Sequence, residues 1–134
     1  MASVLLMVDV QRNMLLPPEP VPDAPGTPGW ELVHEVRDGE RVVDKHEPDA
    51  FAGTALSRLI PASAAVVVAG MQSELCVRET SLSALRRGHR VTLVRGAHAT
   101  YDGKDPADTT SRRIEEELAT AGVSVVDRDD VAFG

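Results

Sequence analysis

The sequence predicts an α/β protein of three layers, α/β/α, built on a mostly parallel five-stranded sheet. Three observations predict it. Short apolar runs at 3–10, 41–45, 64–70, 90–96 and 123–126 alternate, after residue 40, with segments of helical period. That order makes a parallel sheet with helices on both faces. The apolar share, 43% of 134 residues, is almost wholly aliphatic because aromatics are only 3%. Val and Ala fill the runs, as strands buried on both faces require. The length suits one domain, so residues 1–134 read as a single unit.

The elements follow in order. "SVLLMVDV", 3–10, is a short continuous apolar run with an acid near its end and reads as a central strand. "LPPEPVPDAPGTPG", 16–29, holds six prolines and two glycines, so neither a helix interior nor a central strand survives there and an irregular loop is expected. "WELVHEV", 30–36, has room for two helical turns, and Asp38-Gly39 marks a turn. "RVVDK", 41–45, is expected as a short strand ending in charge. "AFAGTALSRLI", 50–60, places Leu56, Leu59 and Ile60 at helical spacing and stops at Pro61.

"AAVVVAG", 64–70, carries the clearest strand pattern. Ser73 is the expected hydroxyl N-cap of a helix over 74–87. Arg86 and Arg87 suit that helix's negative end, and Gly88 the position beyond it. "RVTLVRG", 90–96, is a strand and "ATYDGKDP", 99–106, a loop. Asp105 and Pro106 form an N-cap and N1 pair for a helix running to about Ala121, closed by Gly122. "VSVV", 123–126, is the last strand.

Charge narrows the function classes. The formal charge is -7 with no basic stripe. Nucleic acids and anionic membranes need cationic contacts, so neither is an expected partner; a small molecule is. A single cysteine excludes an internal disulfide and any zinc-ribbon spacing. His34, His46, His89 and His98 are scattered without metal-ligand spacing, so no metal and no cofactor is expected. The start "MASVLLMVDVQRN" lacks a basic n-region and its apolar run is short, so a soluble cytoplasmic protein is expected.

In an open parallel sheet, ligands bind beyond the carboxyl ends of the strands. Three segments deliver distinctive groups to that edge: Asp9 after the first strand, Lys45 at the end of the second, and Cys76 just past the third. Taken singly each has a plainer reading: a turn cap, an exposed cation, a packed inert thiol. Together they make an acid, a cation and a thiol. Position 76 lies in the first turn of a helix, where unpaired N–H groups and the dipole favour a thiolate. Asp9 would accept the thiol proton and Lys45 would offset two anions in one site. Backbone N–H groups around 72–76 would receive the oxyanion formed on attack at an amide carbonyl. The run "RRIEEELA" is most simply a solvated helix face.

These motifs resemble those of the isochorismatase-like cysteine hydrolases. "LLMVDVQ" is similar to the first-strand motif with its acid, "VVDKHEPDAFAGTAL" to the lysine segment, and "VVVAGMQSELCVRETSLSALRRGHRVTLVRGAHAT" to the nucleophile segment and the strand after it. The resemblance covers 3–11 and about 41–100, with three motifs in the family's order. It implies an α/β/α fold with a Rossmann-like sheet and hydrolysis of a carbon–nitrogen bond in a small amide through a covalent thioester. It also implies catalytic roles for Asp9, Lys45 and Cys76, and a cis peptide at Met71–Gln72 that would aim the N–H groups of Gln72 and Cys76 at the oxyanion. Gln11, Phe51 and Met71 would line the pocket.

The departures carry information. Family members are usually longer, and the missing helix and strand fall between Asp9 and Lys45. The Asp-x-His metal pattern of nicotinamidases belongs to that region and does not occur between Asp9 and Asp44, which points to a metal-independent hydrolase. Ser73 and Glu74 stand where Thr and Asp are commoner, and Gly96 where an Asp is common. The shortening favours a homodimer or higher homo-oligomer that covers exposed apolar surface. It also raises an alternative, an inactive binding or scaffold protein that lost its pocket. A redox sensor lacks a resolving cysteine, and a receiver-like phosphoacceptor lacks the acidic cluster for magnesium.

Overall fold

The computed structural model describes residues 3–10, 32 and 35–133. The 16–29 loop, most of the 30–36 segment, His34 and Gln11 lie outside the described residues. The chain divides into two compact units, one of Met1–Val8 with Val43–Gly134 and the other of Asp9–Val42.

Within the first unit four parallel strands stand in sequence order: β1 (Ser3–Val8), β2 (Ala65–Met71), β3 (Val91–Ala99) and β4 (Ser124–Val126). Helices α1 (Leu56–Leu59), α2 (Arg78–Arg86) and α3 (Ala107–Ala121) connect them, with a π-helical turn at Ser73–Val77 leading into α2. A single turn of 3-10 helix follows at Arg128–Asp130.

β2 is buried on both faces, with Val66, Val67, Val68 and Ala69 all shielded, which accounts for its unbroken apolar run. Val66 and Val68 join Val91 and Leu93 in one core cluster with Leu56 and Ile60, Val77 and Ala84, and Ile114 and Leu118. The helical elements therefore cover one face of the sheet. Right-handed crossovers require this when each new strand adds on the same side.

One expectation is corrected. The sheet has four described strands rather than five, because 41–45 is irregular. A strand exists only where a neighbour supplies a ladder, and Val42 there is exposed. The described helices form one layer of the expected three-layer arrangement, and the helix expected over 30–36 falls mostly outside the described residues.

Local chemistry explains smaller differences. The 50–60 helix shrinks to one turn because side chains take its backbone groups. Asp49 Oδ1 accepts the Phe51 N–H at 2.9 Å, Thr54 Oγ1 donates to the Ala50 carbonyl at 2.7 Å, and the Leu56 N–H donates to Thr54 Oγ1 at 3.2 Å. Pro106 takes the flanking position of α3 instead of Asp105, whose carboxylate pairs with Arg113 at 3.2 Å. The Ala107 N–H is satisfied by Asp102 Oδ1 at 2.8 Å. Gln72, not Ser73, flanks the turn; Ser73 lies inside it and its hydroxyl turns inward to His98 and Ser111. The helix ends match expectation. Gly88 and Gly122 have φ of 89° and 115°, and the residues after them close back on Ala84 and Leu118 at 3.1 and 2.9 Å.

Candidate active site

The carboxyl end of β2 is built by close approach. Gly70 pairs with Val8, and a Cβ on Gly70 would stand 2.0 Å from the Val8 carbonyl oxygen. Only glycine leaves room for the two backbones there. Across the sheet, Val68 pairs with Leu93, yet Gly70, two residues on, pairs with His98, five residues on. The bulge takes three extra residues of β3 and brings His98 and Thr100 alongside the start of the turn that follows β2.

That turn carries the thiol. The peptide bond Met71–Gln72 is cis, where the resemblance placed it. The Gln72 carbonyl then accepts the N–H groups of Leu75 and Val77, both at 3.1 Å, and the second of these closes the π turn. Each side chain of "SELCV" has a separate environment. Ser73 and Val77 are fully buried, Glu74 accepts the Thr100 hydroxyl at 2.6 Å, Leu75 is exposed, and Cys76 is half-buried.

Lys45 reaches this turn from the irregular segment. Its Nζ donates to Cys76 Sγ at 3.2 Å and to the Glu47 carbonyl at 3.0 Å. The lysine segment is tethered to the helix that follows the thiol. Thr80 of α2, wholly buried, accepts the Ala50 N–H at 3.0 Å and donates to the Pro48 carbonyl at 3.3 Å. Lys45 therefore arrives beside Cys76 without being on a strand. Thr80 was not singled out from the sequence. Its signal was a hydroxyl among the inward positions of an amphipathic helix, next to the fully buried Ser81 and Ala84.

The remaining expected residues are placed as follows. Asp9 opens the Asp9–Val42 unit directly after β1, half-buried, with a φ of 51° that is unusual for a non-glycine residue. Met71 is buried at the end of β2, and Gln72 is half-buried after it. Phe51 is buried in the core cluster, its ring stacked on His89 at 6.4 Å with the Arg87 guanidinium 4.8 Å above it. Asp44 and His46 are exposed.

Electrostatics around the thiol helix are mostly committed elsewhere. Arg78 binds Glu117 of α3 and Glu79. The hydrogen bond to Glu117 holds its guanidinium protonated even above the usual range, against the burial that opposes it. Burial also pushes the Tyr101 phenol up from its ordinary value. Among the described residues no group of three or more His, Cys, Asp or Glu side chains is arranged to hold a metal ion. His89 is engaged by the Ala64 carbonyl at 2.9 Å and His98 by Ser73 and Glu115. No helix among the described residues is long and apolar enough to cross a membrane.

Comparison with known proteins shows the family. The profile of the Isochorismatase domain matches residues 17–130. Two proteins named streptothricin hydrolase, both from Streptomyces noursei, are 45% identical over 104 residues and 52% identical over 84 residues. Those matches take in 72% and 60% of this chain but 38% and 33% of the relatives, so the chain spans well under half their length. The crystal structure of an isochorismatase from Pseudomonas putida KT2440 superposes with a TM-score of 0.82 at 22% identity, covering 97% of this chain and 90% of that one. The N-carbamoylsarcosine amidase of Thermoplasma acidophilum superposes with a TM-score of 0.67 at 26% identity, over 81% and 61%.

Proposed function

This chain belongs to the isochorismatase family, and from that premise we propose that it is a metal-independent cysteine hydrolase of small amides. The observation that carries the reading is the 3.2 Å contact from Lys45 Nζ to Cys76 Sγ on a half-buried thiol at the head of a helix. An ammonium donating to sulfur at that distance favours the thiolate, which is the nucleophilic form.

In this reading Asp9 takes the thiol proton and Cys76 Sγ attacks the amide carbonyl carbon, forming a carbon–sulfur bond. The carbonyl electron pair moves to oxygen, which the N–H groups of Gln72 and Cys76 receive. The intermediate collapses with cleavage of the carbon–nitrogen bond, and Asp9 returns its proton to the departing amine. Water, deprotonated by Asp9, then attacks the thioester and releases a carboxylic acid and the thiolate. Asp9 thus serves as base, acid and base again. Lys45 limits the cost of two anions in one site.

Two relatives carry the name streptothricin hydrolase, so streptothricin is the first compound to assay, beside simple carboxamides and N-carbamoyl amino acids. Self-association belongs to the same proposal. Leu5 and Met7 on β1 are 48% and 53% exposed, apolar surface that a second copy can cover.

The test is Cys76→Ala. Turnover is expected to vanish while thermal unfolding stays cooperative. A variant that hydrolyses at the parent rate ends the proposal.

A further inference from the structure

Beneath the thiol turn lies a chain of polar side chains that the proposed chemistry does not use. Ser73 Oγ is 2.7 Å from His98 Nδ1 and 3.2 Å from Ser111 Oγ, and His98 Nε2 is 2.7 Å from Glu115 Oε2. The Ser73 residue has no exposed surface and the His98 side chain is 1% exposed. The chain joins three elements: the turn carrying Cys76, β3 just past its bulge, and α3.

The order serine, histidine, carboxylate is that of a hydrolytic triad, but a serine without exposed surface meets no substrate. Its donors and acceptors nevertheless close. An ionised Glu115 only accepts, so His98 Nε2 carries a proton. With neutral His98, the Ser73 hydroxyl donates to Nδ1 and accepts from Ser111. With charged His98, Nδ1 donates to Ser73, which then donates to Ser111. Every group is satisfied in either state, as burial demands.

The geometry points to Ser73 and His98 as positioning residues for Cys76. Ser73 lies between Gln72 and Cys76, the two proposed oxyanion donors, inside the five-residue turn that presents the sulfur. Tethering its hydroxyl to β3 and α3 at once, with Glu74 held by Thr100 and Val77 sunk in the core, leaves that turn little freedom. Cys76 Sγ is thereby kept at Lys45 Nζ. Small displacements at such a site cost large factors in rate. The kinetic arm of this inference rests on the cysteine hydrolase reading above; its chemical arm does not.

The experiment compares the full chain with Ser73→Ala, Ser73→Thr and His98→Asn. One measurement is kcat and KM on an amide that the parent hydrolyses. The other is the rate of Cys76 alkylation by iodoacetamide at pH 7, which reports one site because the chain has one cysteine. Ser73→Ala is expected to lower kcat and the alkylation rate about tenfold each, the equivalent of one lost hydrogen bond, with KM within about twofold. Ser73→Thr, which keeps the hydroxyl, is expected to recover most of both. His98→Asn keeps a hydrogen-bonding atom near the Nδ1 position but loses Glu115, and is expected to fall between; it also stands in should Ser73→Ala fail to fold. A folded Ser73→Ala that melts lower yet keeps the parent kcat and alkylation rate overturns the inference, since the network is then merely structural. Slower alkylation of Ser73→Ala where the parent hydrolyses no amide overturns the hydrolase reading and supports the positioning role.

Discussion

Replacing Lys45 with methionine removes one charge and little volume from beside the only thiol. Two unit charges 3.2 Å apart, the separation of Lys45 Nζ and Cys76 Sγ, interact by about 1.3 kcal/mol in bulk water and about 5 kcal/mol at an effective dielectric near 20. Both residues are half-buried, so the pair sits between these limits. At 1.36 kcal/mol per tenfold change in proton affinity, the alkylation midpoint of Cys76 moves upward by about one to four pH units in Lys45→Met. The assay is the second-order rate of iodoacetamide labelling from pH 5 to pH 10. In the parent the midpoint is expected below about 8.5, the ordinary thiol value. Lys45→Arg, which keeps the charge but not the point geometry, is expected to lie between parent and Lys45→Met. Equal midpoints in the parent and Lys45→Met, with both proteins folded, would refute the argument that this ammonium stabilises the thiolate.

Two further outcomes are expected. Gly70→Ala forces a Cβ to within 2.0 Å of the Val8 carbonyl oxygen at a φ of 122°, so β1 and β2 must separate at their carboxyl ends. A loss of about 1–3 kcal/mol is expected, roughly 4–12 °C in Tm, and a melting curve unchanged within a degree counts against the close approach. Tyr101, the sole tyrosine, is held neutral by burial, so its phenolate absorbance is expected to grow in above pH 10. The unfolded chain ionises first, so the associated stability is intact below about pH 10 and declines as pH rises through the folded midpoint. A spectrophotometric midpoint at or below 10 contradicts this.

Much of the fold was legible because its causes are local. β2 announced itself by an apolar run that only a strand buried on both faces tolerates, and α2 and α3 by the glycines that close them. The segments around Asp9, Lys45 and Cys76 were legible as residue types in order. The contact between the last two was not, because nothing in "RVVDK" states what lies beside it. The alternation that suggested a strand there had no ladder partner, and the lysine is delivered by an irregular segment that Thr80 fastens to α2.

The sequence by itself determined four of the five strands it predicted, the two long helices and where they end, and that a single thiol heads the α2 segment, since periodicity, capping and composition act over a few residues. Tertiary structure alone decided that the β3 bulge turns His98 toward Ser73, that Ser73 reaches inward rather than capping, and that an ammonium meets the sulfur. Each of those depends on atoms 25 or more residues apart in the chain. Such meetings arise only when the sheet and helices bury their common face and bring distant segments to one edge.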